Sequence, residues 1–190
     1  MVAVASSTVE PFPATIWTIG HSTRGLEEFL GLLVKFRIEA LADVRSYPGS
    51  RRYPQYGKEA LAASLKAQAI EYFWLPGLGG RRRAAPNSPN TAWRNAAFQG
   101  YADHMGTAEF AQGLQQLQEL ASRARTVIMC AEALWWRCHR SLIADALSVR
   151  GIPVMHIMDA HHETLHPMTS AASIVQGELS YTGGSPSKSG

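Results

Sequence analysis

The chain has 190 residues, of which 46% are hydrophobic and 17% are charged, and its formal net charge is +3. These values are typical of one soluble globular domain, and the absence of any apolar run of about 18 residues argues against a membrane-spanning segment. Two cysteines are too few for a disulfide framework, and the first residues do not resemble a secretion signal, so we expect a cytoplasmic protein with reduced thiols.

Apolar periodicity predicts five strands that alternate with helices. We expect residues 1–13 to form a flexible leader, 14–170 a single α/β domain, and 171–190 a partly ordered tail. The predicted strands are residues 16–19, 39–45, 70–75, 126–129 and 154–157. The predicted helices are residues 26–36, 58–69, two within 97–121 that are broken near 106–107, and 141–149. This alternation is typical of a largely parallel central sheet of about five strands flanked by helices, a Rossmann-like three-layer fold.

Polar motifs follow four of these strands. Because open α/β sheets bind ligands beyond the carboxyl ends of their strands, we expect the motifs to form one strand-end pocket. Glycine-turn N–H groups and forked arginine side chains would suit an anion there. The predicted ligand-binding residues are Gly20, Ser22, Asp43, Arg45, Gly79, Gly80, Arg81, Cys130 and Arg140. The alternative role for Asp43 and Arg45 is a structural ion pair at the end of the sheet. None of the motifs is a Walker or Rossmann fingerprint.

Cys138 is the candidate nucleophile. It lies at or just before the predicted start of the last helix, where free N–H groups and the helix dipole stabilise a thiolate. Neighbouring Arg137, His139 and Arg140 would lower the pKa of this thiol further. The Cys130-to-Arg137 spacing is one residue too long for a phosphatase loop, so phosphatase chemistry is not inferred. The candidate catalytic residues are Cys138, His139, Glu132 and His21, and a buried structural role is the alternative for Cys130.

Several motifs taken together resemble the domain-of-unknown-function family numbered 488. They cover most of residues 16–167 in order. The matching residues are Thr18 to Ser22, Asp43 to Arg45, Ser50 to Arg52 with Pro54, Leu75 to Pro76, Leu78 to Arg81, Gly100 to Ala102, Met105, Cys130 to Glu132 and Cys138 to Ala144. The resemblance implies a compact α/β fold with polar motifs at strand ends, and it implies no activity. One segment departs from the family pattern: where an acidic or glycine residue followed by His-Pro would be expected, this chain has Ala-His-His-Glu at residues 160–163 before His166 and Pro167.

The expected ligand is an anionic small molecule, phosphate-bearing or nucleotide-like, and thiol or acid/base catalysis is left open. The alternative is a non-catalytic nucleic-acid-binding module, because arginines cluster at positions 51, 52, 81–83 and 94 and tryptophans and tyrosines lie near them. Arginines that converge in a pocket would favour the small ligand, and arginines spread over an open face would favour nucleic acid. A Cys/His metal site is the second alternative, although no metal ligand set is predicted and the cofactor and oligomeric state are left open.

The segment from His162 to His166 matches the zinc-protease pattern of two histidines that flank a glutamate. That chemistry requires both histidines on one face of a helix. Pro167 follows at once and a predicted strand lies just before, so we interpret the match as a chance occurrence in a loop.

Overall fold

A six-stranded sheet organises the chain in the computed structural model, which describes residues 15–49 and 51–183. Its strands are β1 (Ile16–Gly20), β2 (Ala40–Asp43), β3 (Glu71–Trp74), β4 (Thr126–Cys130), β5 (Val154–Ile157) and β6 (Glu163–Leu165). They lie in the order β3-β2-β4-β1-β5-β6, in which β1 to β5 are parallel and β6 is antiparallel to β5. The predicted single-domain, three-layer α/β fold is confirmed.

Helices cover both faces of this sheet. They are α1 (Leu26–Lys35), α2 (Lys58–Lys66), α3 (Ala96–Met105), α4 (Ala108–Arg123) and α5 (Arg140–Val149). Alternate residues of a strand point to opposite faces, so Val127 and Met129 of β4 pack in the cluster that includes α1 and α2. Ile128 packs on the other side with α3, α4 and α5. The predicted break near residues 106–107 is present, because the Thr107 side chain caps α4 by accepting a hydrogen bond from the Phe110 N–H.

The strand register brings the four predicted motifs to one edge of the sheet. Gly20, the last residue of β1, lies beside Cys130, the last residue of β4, and Asp43 at the end of β2 lies beside Met129. Arg45 and Gly79 follow β2 and β3 on the same side. The carboxyl ends of four parallel strands therefore meet where the sequence predicted them to meet.

Helix α1 begins without a side-chain cap. Neither Ser22 nor Thr23 caps this helix; its N-cap is Gly25, and no side chain hydrogen-bonds there. Ser22 instead adopts a left-handed conformation with φ +49°, and its N–H donates to the Ala131 carbonyl. The turn after β1 thus ties itself to the loop after β4 before the helix begins.

Strand β6 occupies the segment that was predicted to be a loop. His162 is exposed, whereas His166 is buried, so the zinc-protease pattern does not present two histidines on one helix face. Pairing with β5 places Thr164 opposite His156 and accounts for the extended backbone.

The chain after residue 170 forms a hairpin of β7 (Ser173–Val175) and β8 (Glu178–Ser180). Gln176 and Gly177 make its tight turn with positive φ, as two-residue hairpins of this kind require. The following Tyr181 is buried, and its hydroxyl donates to Asp145 Oδ2 over 2.7 Å. The predicted leader, residues 1–13, lies outside the described residues. No helix in the described part of the chain combines the length and apolar character needed to cross a bilayer.

Candidate functional site

A cavity of about 640 Å³ opens at the carboxyl ends of the strands. Its volume is within the range typical of small-molecule sites. The predicted site residues that line it are His21, Ser22, Arg45, Gly80, Arg81, Cys130, Glu132, Cys138 and His139. Four other predicted site residues, Gly20, Asp43, Gly79 and Arg140, are not among its lining residues. Loops that are distant in sequence therefore converge on one pocket.

Two sulfur atoms and one imidazole nitrogen meet in the wall of this cavity. His139 Nδ1 lies 3.5 Å from Cys138 Sγ and 3.9 Å from Cys130 Sγ. The opposite ring nitrogen, Nε2, lies 3.0 Å from the Val44 carbonyl oxygen, to which it donates. Because β2 ends beside that carbonyl, the sheet itself fixes the ring so that Nδ1 faces both thiols.

The surroundings of the two thiols shift their pKa values in opposite directions. Burial alone would raise the pKa of Cys138, but a hydrogen bond from Cys130 and the charges of His139 and Arg140 hold it well below that of a free thiol. The hydrogen bond to Cys138, and then burial, raise the pKa of Cys130 well above that value. These surroundings thus favour the thiolate form of Cys138 and the protonated form of Cys130.

The same three residues could also hold a metal ion. The ligand atoms of Cys130, Cys138 and His139 all lie within 4.8 Å of one another. Two thiolates and an imidazole are ligand types that Zn²⁺ takes, and ligating histidines usually donate their other N–H, as His139 does to Val44. Within the described ranges this is the one cluster of this kind.

Arg140 supports the thiol from behind rather than lining the cavity. It is 1% exposed, and its Nε donates to Cys138 Sγ over 3.4 Å. Its Nη2 donates to the carbonyls of Glu132 and Ala133, and its Nη1 donates to Thr18 Oγ1 over 3.3 Å. The first residue of α5 therefore points into the protein. There it anchors the loop after β4 and stabilises negative charge on the Cys138 sulfur.

A chain of buried hydrogen bonds continues from Arg140, at the start of α5, to Asp145 in the middle of the same helix. Thr18 Oγ1 lies 2.7 Å from His156 Nδ1, His156 Nε2 lies 2.9 Å from His166 Nδ1, and His166 Nε2 lies 2.9 Å from Asp145 Oδ1. One assignment of protons satisfies every link: Arg140 donates to Thr18, and each group donates onward until the carboxylate accepts. Burial, followed by the nearby His166, lowers the pKa of His156 to about 2, so its ring is neutral.

Sequence reasoning missed this chain of hydrogen bonds. Asp145 was a visible signal, because it interrupts the apolar stripe of α5 with a carboxylate. His156 was a second signal, because it occupies a buried position in the predicted fifth strand. Polar residues at buried positions require partners, but their identity depends on tertiary contacts.

His21 lines the cavity as a neutral imidazole. Burial and then the charge of Arg45 lower its pKa to about 4. Its Nδ1 lies 3.0 Å from the Ser22 carbonyl, and its ring stacks on Tyr56 with the centroids 4.1 Å apart. Its Nε2 is buried and has no hydrogen-bond partner among the described residues. A buried acceptor of this kind at a cavity wall is typical of a binding or catalytic site.

Asp43 and Arg45 form an ion pair at the end of β2. Arg45 Nε lies 2.9 Å from Asp43 Oδ1, and Tyr72 donates to Oδ2 over 2.7 Å. The Asp43 side chain is fully buried, whereas Arg45 also lines the cavity. Asp43 thus holds the arginine that faces the pocket.

Residues 25–147 of the chain match the model of a protein family that is described as Domain of unknown function DUF488. This range includes β2, β3, β4 and both thiols. The chain belongs to the DUF488 family. Neither the curated proteins nor the solved structures contain a match to it. Membership confirms the family resemblance seen in the sequence, and the description assigns no activity.

The arginines near the predicted binding loops of this DUF488 chain fall into three groups. Arg81 and Arg137 line the cavity together with Arg45. Arg82 is engaged elsewhere, because it pairs with Glu109 and donates to the Gly79 carbonyl. The predicted arginines that are exposed and do not line the cavity are Arg51, Arg52, Arg83 and Arg94.

The aromatic residues divide in a similar way. Trp135 stacks on His156 with their ring centroids 4.2 Å apart, so it supports the buried hydrogen-bond chain. Trp136 is 49% exposed. Tyr47, Tyr53 and Phe98 line the cavity and offer flat surfaces to a ligand.

Gly80 lets the loop after β3 lie against the His139 ring. A Cβ at this position would come within 2.3 Å of His139 Nδ1. We expect Gly80→Ala to displace the ring, to slow alkylation of Cys138 at neutral pH several-fold and to lower the free energy of unfolding by about 1–3 kcal/mol.

Gly31→Ala is the matched control, because nothing lies within 4 Å of its added Cβ in α1. It should leave alkylation unchanged and stabilise the protein by about 0.5–1 kcal/mol. Equal alkylation rates in the two variants would show that the ring position does not depend on Gly80.

Proposed function

We propose that this protein binds a small anionic ligand in its strand-end cavity and that Cys138 is the nucleophile that attacks the ligand. The observation that carries this proposal is the Cys138–His139 pair, 3.5 Å apart, in the wall of a cavity that three arginines also line. A thiolate beside an imidazole that is itself oriented by a third group is the arrangement used in nucleophilic catalysis. Here the third group is the Val44 carbonyl.

The charges around the cavity favour an anion. Arg45, Arg81 and Arg137 line it, and Glu132 is the one acidic side chain among its described lining residues. Guanidinium groups bind phosphate and carboxylate in a forked geometry. The aromatic rings in the wall would suit a nucleotide-like ligand.

Acid/base chemistry would come from residues beside the thiol. The neutral His21 has a free ring nitrogen that can accept a proton, and Glu132 is exposed at the cavity. We assign His139 to the thiolate, and His21 or Glu132 to proton transfer on the ligand. We also propose a reducing compartment, the cytoplasm, because Cys138 must be a free thiol to attack the ligand and both cysteines are free.

Nucleic-acid binding remains the alternative, supported by the exposed Arg51, Arg52, Arg83 and Arg94. An open basic face would bind phosphates through such residues. The cavity favours the small ligand, because it gathers three arginines around the reactive thiol.

Two alkylating probes that differ in charge test the proposal. We expect the rate ratio of iodoacetate to iodoacetamide at Cys138 to exceed that of free cysteine several-fold, which corresponds to about 1 kcal/mol. Peptide mapping after short reaction times measures both rates. The excess should decrease with added salt, since the attraction is electrostatic.

Arg81→Gln should lower this ratio, whereas Arg83→Gln, at an exposed position outside the cavity wall, should not. A ratio of iodoacetate to iodoacetamide rates equal to that of free cysteine would contradict the proposal that the ligand is anionic.

A further inference from the structure

We propose that Cys138 and Cys130 act together as attacking and resolving thiols that reduce a small disulfide bearing anionic groups. The exchange uses the cavity and the nucleophile of the proposed function and therefore rests on it. It adds a substrate class and gives the second thiol a role.

The two sulfur atoms are placed for this reaction. Both cysteines are free and line the same cavity, and their Sγ atoms lie within 4.8 Å of each other. Side-chain rotation can close such a gap to the length of a disulfide, about 2.05 Å. A nucleophile for acyl or phosphoryl transfer needs no second thiol, whereas release of a mixed disulfide does.

Their contacts give the two thiols different roles. Arg140 Nε and the His139 ring stabilise negative charge on Cys138. Cys130 lies at the buried end of β4, and its Sγ lies within 4.8 Å of the Cys138 Sγ and receives no contact from Arg140 among the described hydrogen bonds. The Cys138 sulfur therefore attacks the substrate in the first step, and the Cys130 sulfur lies beside it for the second step.

In the first step, the Cys138 thiolate attacks one sulfur of the substrate disulfide. A bond forms between Cys138 and that sulfur, and the substrate S–S bond breaks. The departing thiolate takes the proton that His139 holds on Nδ1 and leaves as the first thiol product. His139 keeps its other proton, because Nε2 donates to Val44.

In the second step, Cys130 resolves the mixed disulfide. Cys138 no longer carries a negative charge that would disfavour a second thiolate beside it, so His139 Nδ1, 3.9 Å from Cys130 Sγ, accepts the Cys130 proton. The Cys130 thiolate attacks the Cys138 sulfur, and the second substrate thiolate departs with the proton from His139. One substrate disulfide becomes two thiols, and two cysteines become one disulfide, so atoms and electrons balance.

The arginines determine which disulfides enter. Arg81 and Arg137 can each pair with a carboxylate on the substrate. Arg45 already binds Asp43 through Nε and Nη2, which within the described part of the chain leaves its Nη1 to donate. The charge of Arg81 and Arg137 also stabilises a departing thiolate. The substrate class is therefore a small disulfide with carboxylate groups.

The test uses dithiobis(nitrobenzoate), a dianionic disulfide that releases a coloured thiolate, in the presence of a chelator. We expect the full-length protein to release two thiolates per chain, to retain no reagent by mass, and to yield a Cys130–Cys138 cross-linked peptide in a non-reducing map. A dithiol should then restore both free thiols. A protein that instead retains reagent on both cysteines would overturn the proposal.

Single substitutions separate the two steps. Cys130→Ser should release one thiolate and retain one reagent group on Cys138, and Cys138→Ser should lose the fast phase. Neutral dithiodipyridine is the control for charge. If both reagents give the cross-link at equal rates, the result supports the paired thiols and contradicts an anionic ligand. If the dianion reacts faster but no cross-link forms, the result supports an anionic ligand and contradicts the resolving role of Cys130.

Discussion

Asp43→Ala is expected to lower the free energy of unfolding by about 3–5 kcal/mol, because it leaves the charge of Arg45 buried without its partner. The Asp43 side chain is 0% exposed and that of Arg45 is 7% exposed. The substitution also removes the acceptor of the Tyr72 hydroxyl. Urea unfolding followed by tryptophan fluorescence measures this loss as a lower midpoint at constant slope.

Glu28→Ala is the matched control, since it breaks an exposed ion pair with Arg24 on the first turn of α1. An exposed pair of this spacing contributes about 0.3–0.5 kcal/mol. A loss below about 1 kcal/mol for Asp43→Ala would show that Arg45 keeps its charge compensated without Asp43.

The rate at which Cys138 reacts with iodoacetamide is expected to rise less steeply from about pH 6 to pH 8 than that of a free thiol, which gains about tenfold per pH unit in this range. The reason is that the neighbouring His139 and Arg140 lower the pKa of Cys138 and so favour its thiolate. Cys130 should remain unlabelled, since its pKa is raised and its proton is held.

At about pH 6.5, labelling of Cys138 should exceed that of Cys130 by about tenfold or more. A free thiol is only about 1% thiolate there, although a thiolate of low pKa is also a weaker nucleophile. Peptide mapping reads the two sites separately. Equal, slow labelling of both cysteines, or labelling of Cys130 alone, would return Cys138 to a structural role.

The parallel strands and the position of the site could be predicted, because both depend on local sequence. Residues 126–129 form a continuous apolar run, as buried strands require, and Gly151 ends α5 with φ +76°. Polar residues directly after such strands must meet at one edge of a parallel sheet. Strand β6 gave no such signal, because its three residues are exposed or half-buried and it exists through pairing with β5.

The inward direction of Arg140 could not be predicted in the same way. Its neighbours in sequence suggested a ligand donor beside Cys138, but the start of α5 turns it toward Thr18, which lies 122 positions earlier. The partners of Asp145 are likewise distant: His166 lies 21 positions later and Tyr181 lies 36 positions later. Contacts of this range depend on the packed fold and not on any local pattern.

The strand order also predicts how a fragment limited to the family segment would behave. The match covers residues 25–147, whereas β1, which lies between β4 and β5 in the sheet, precedes that range. A fragment cut to the matched range would expose a full edge of β4, whose sequence, Thr126–Cys130, contains neither a charge nor a proline. Such an edge is a template for intermolecular pairing and aggregation. A fragment designed to avoid this exposed edge must therefore include Ile16–Gly20.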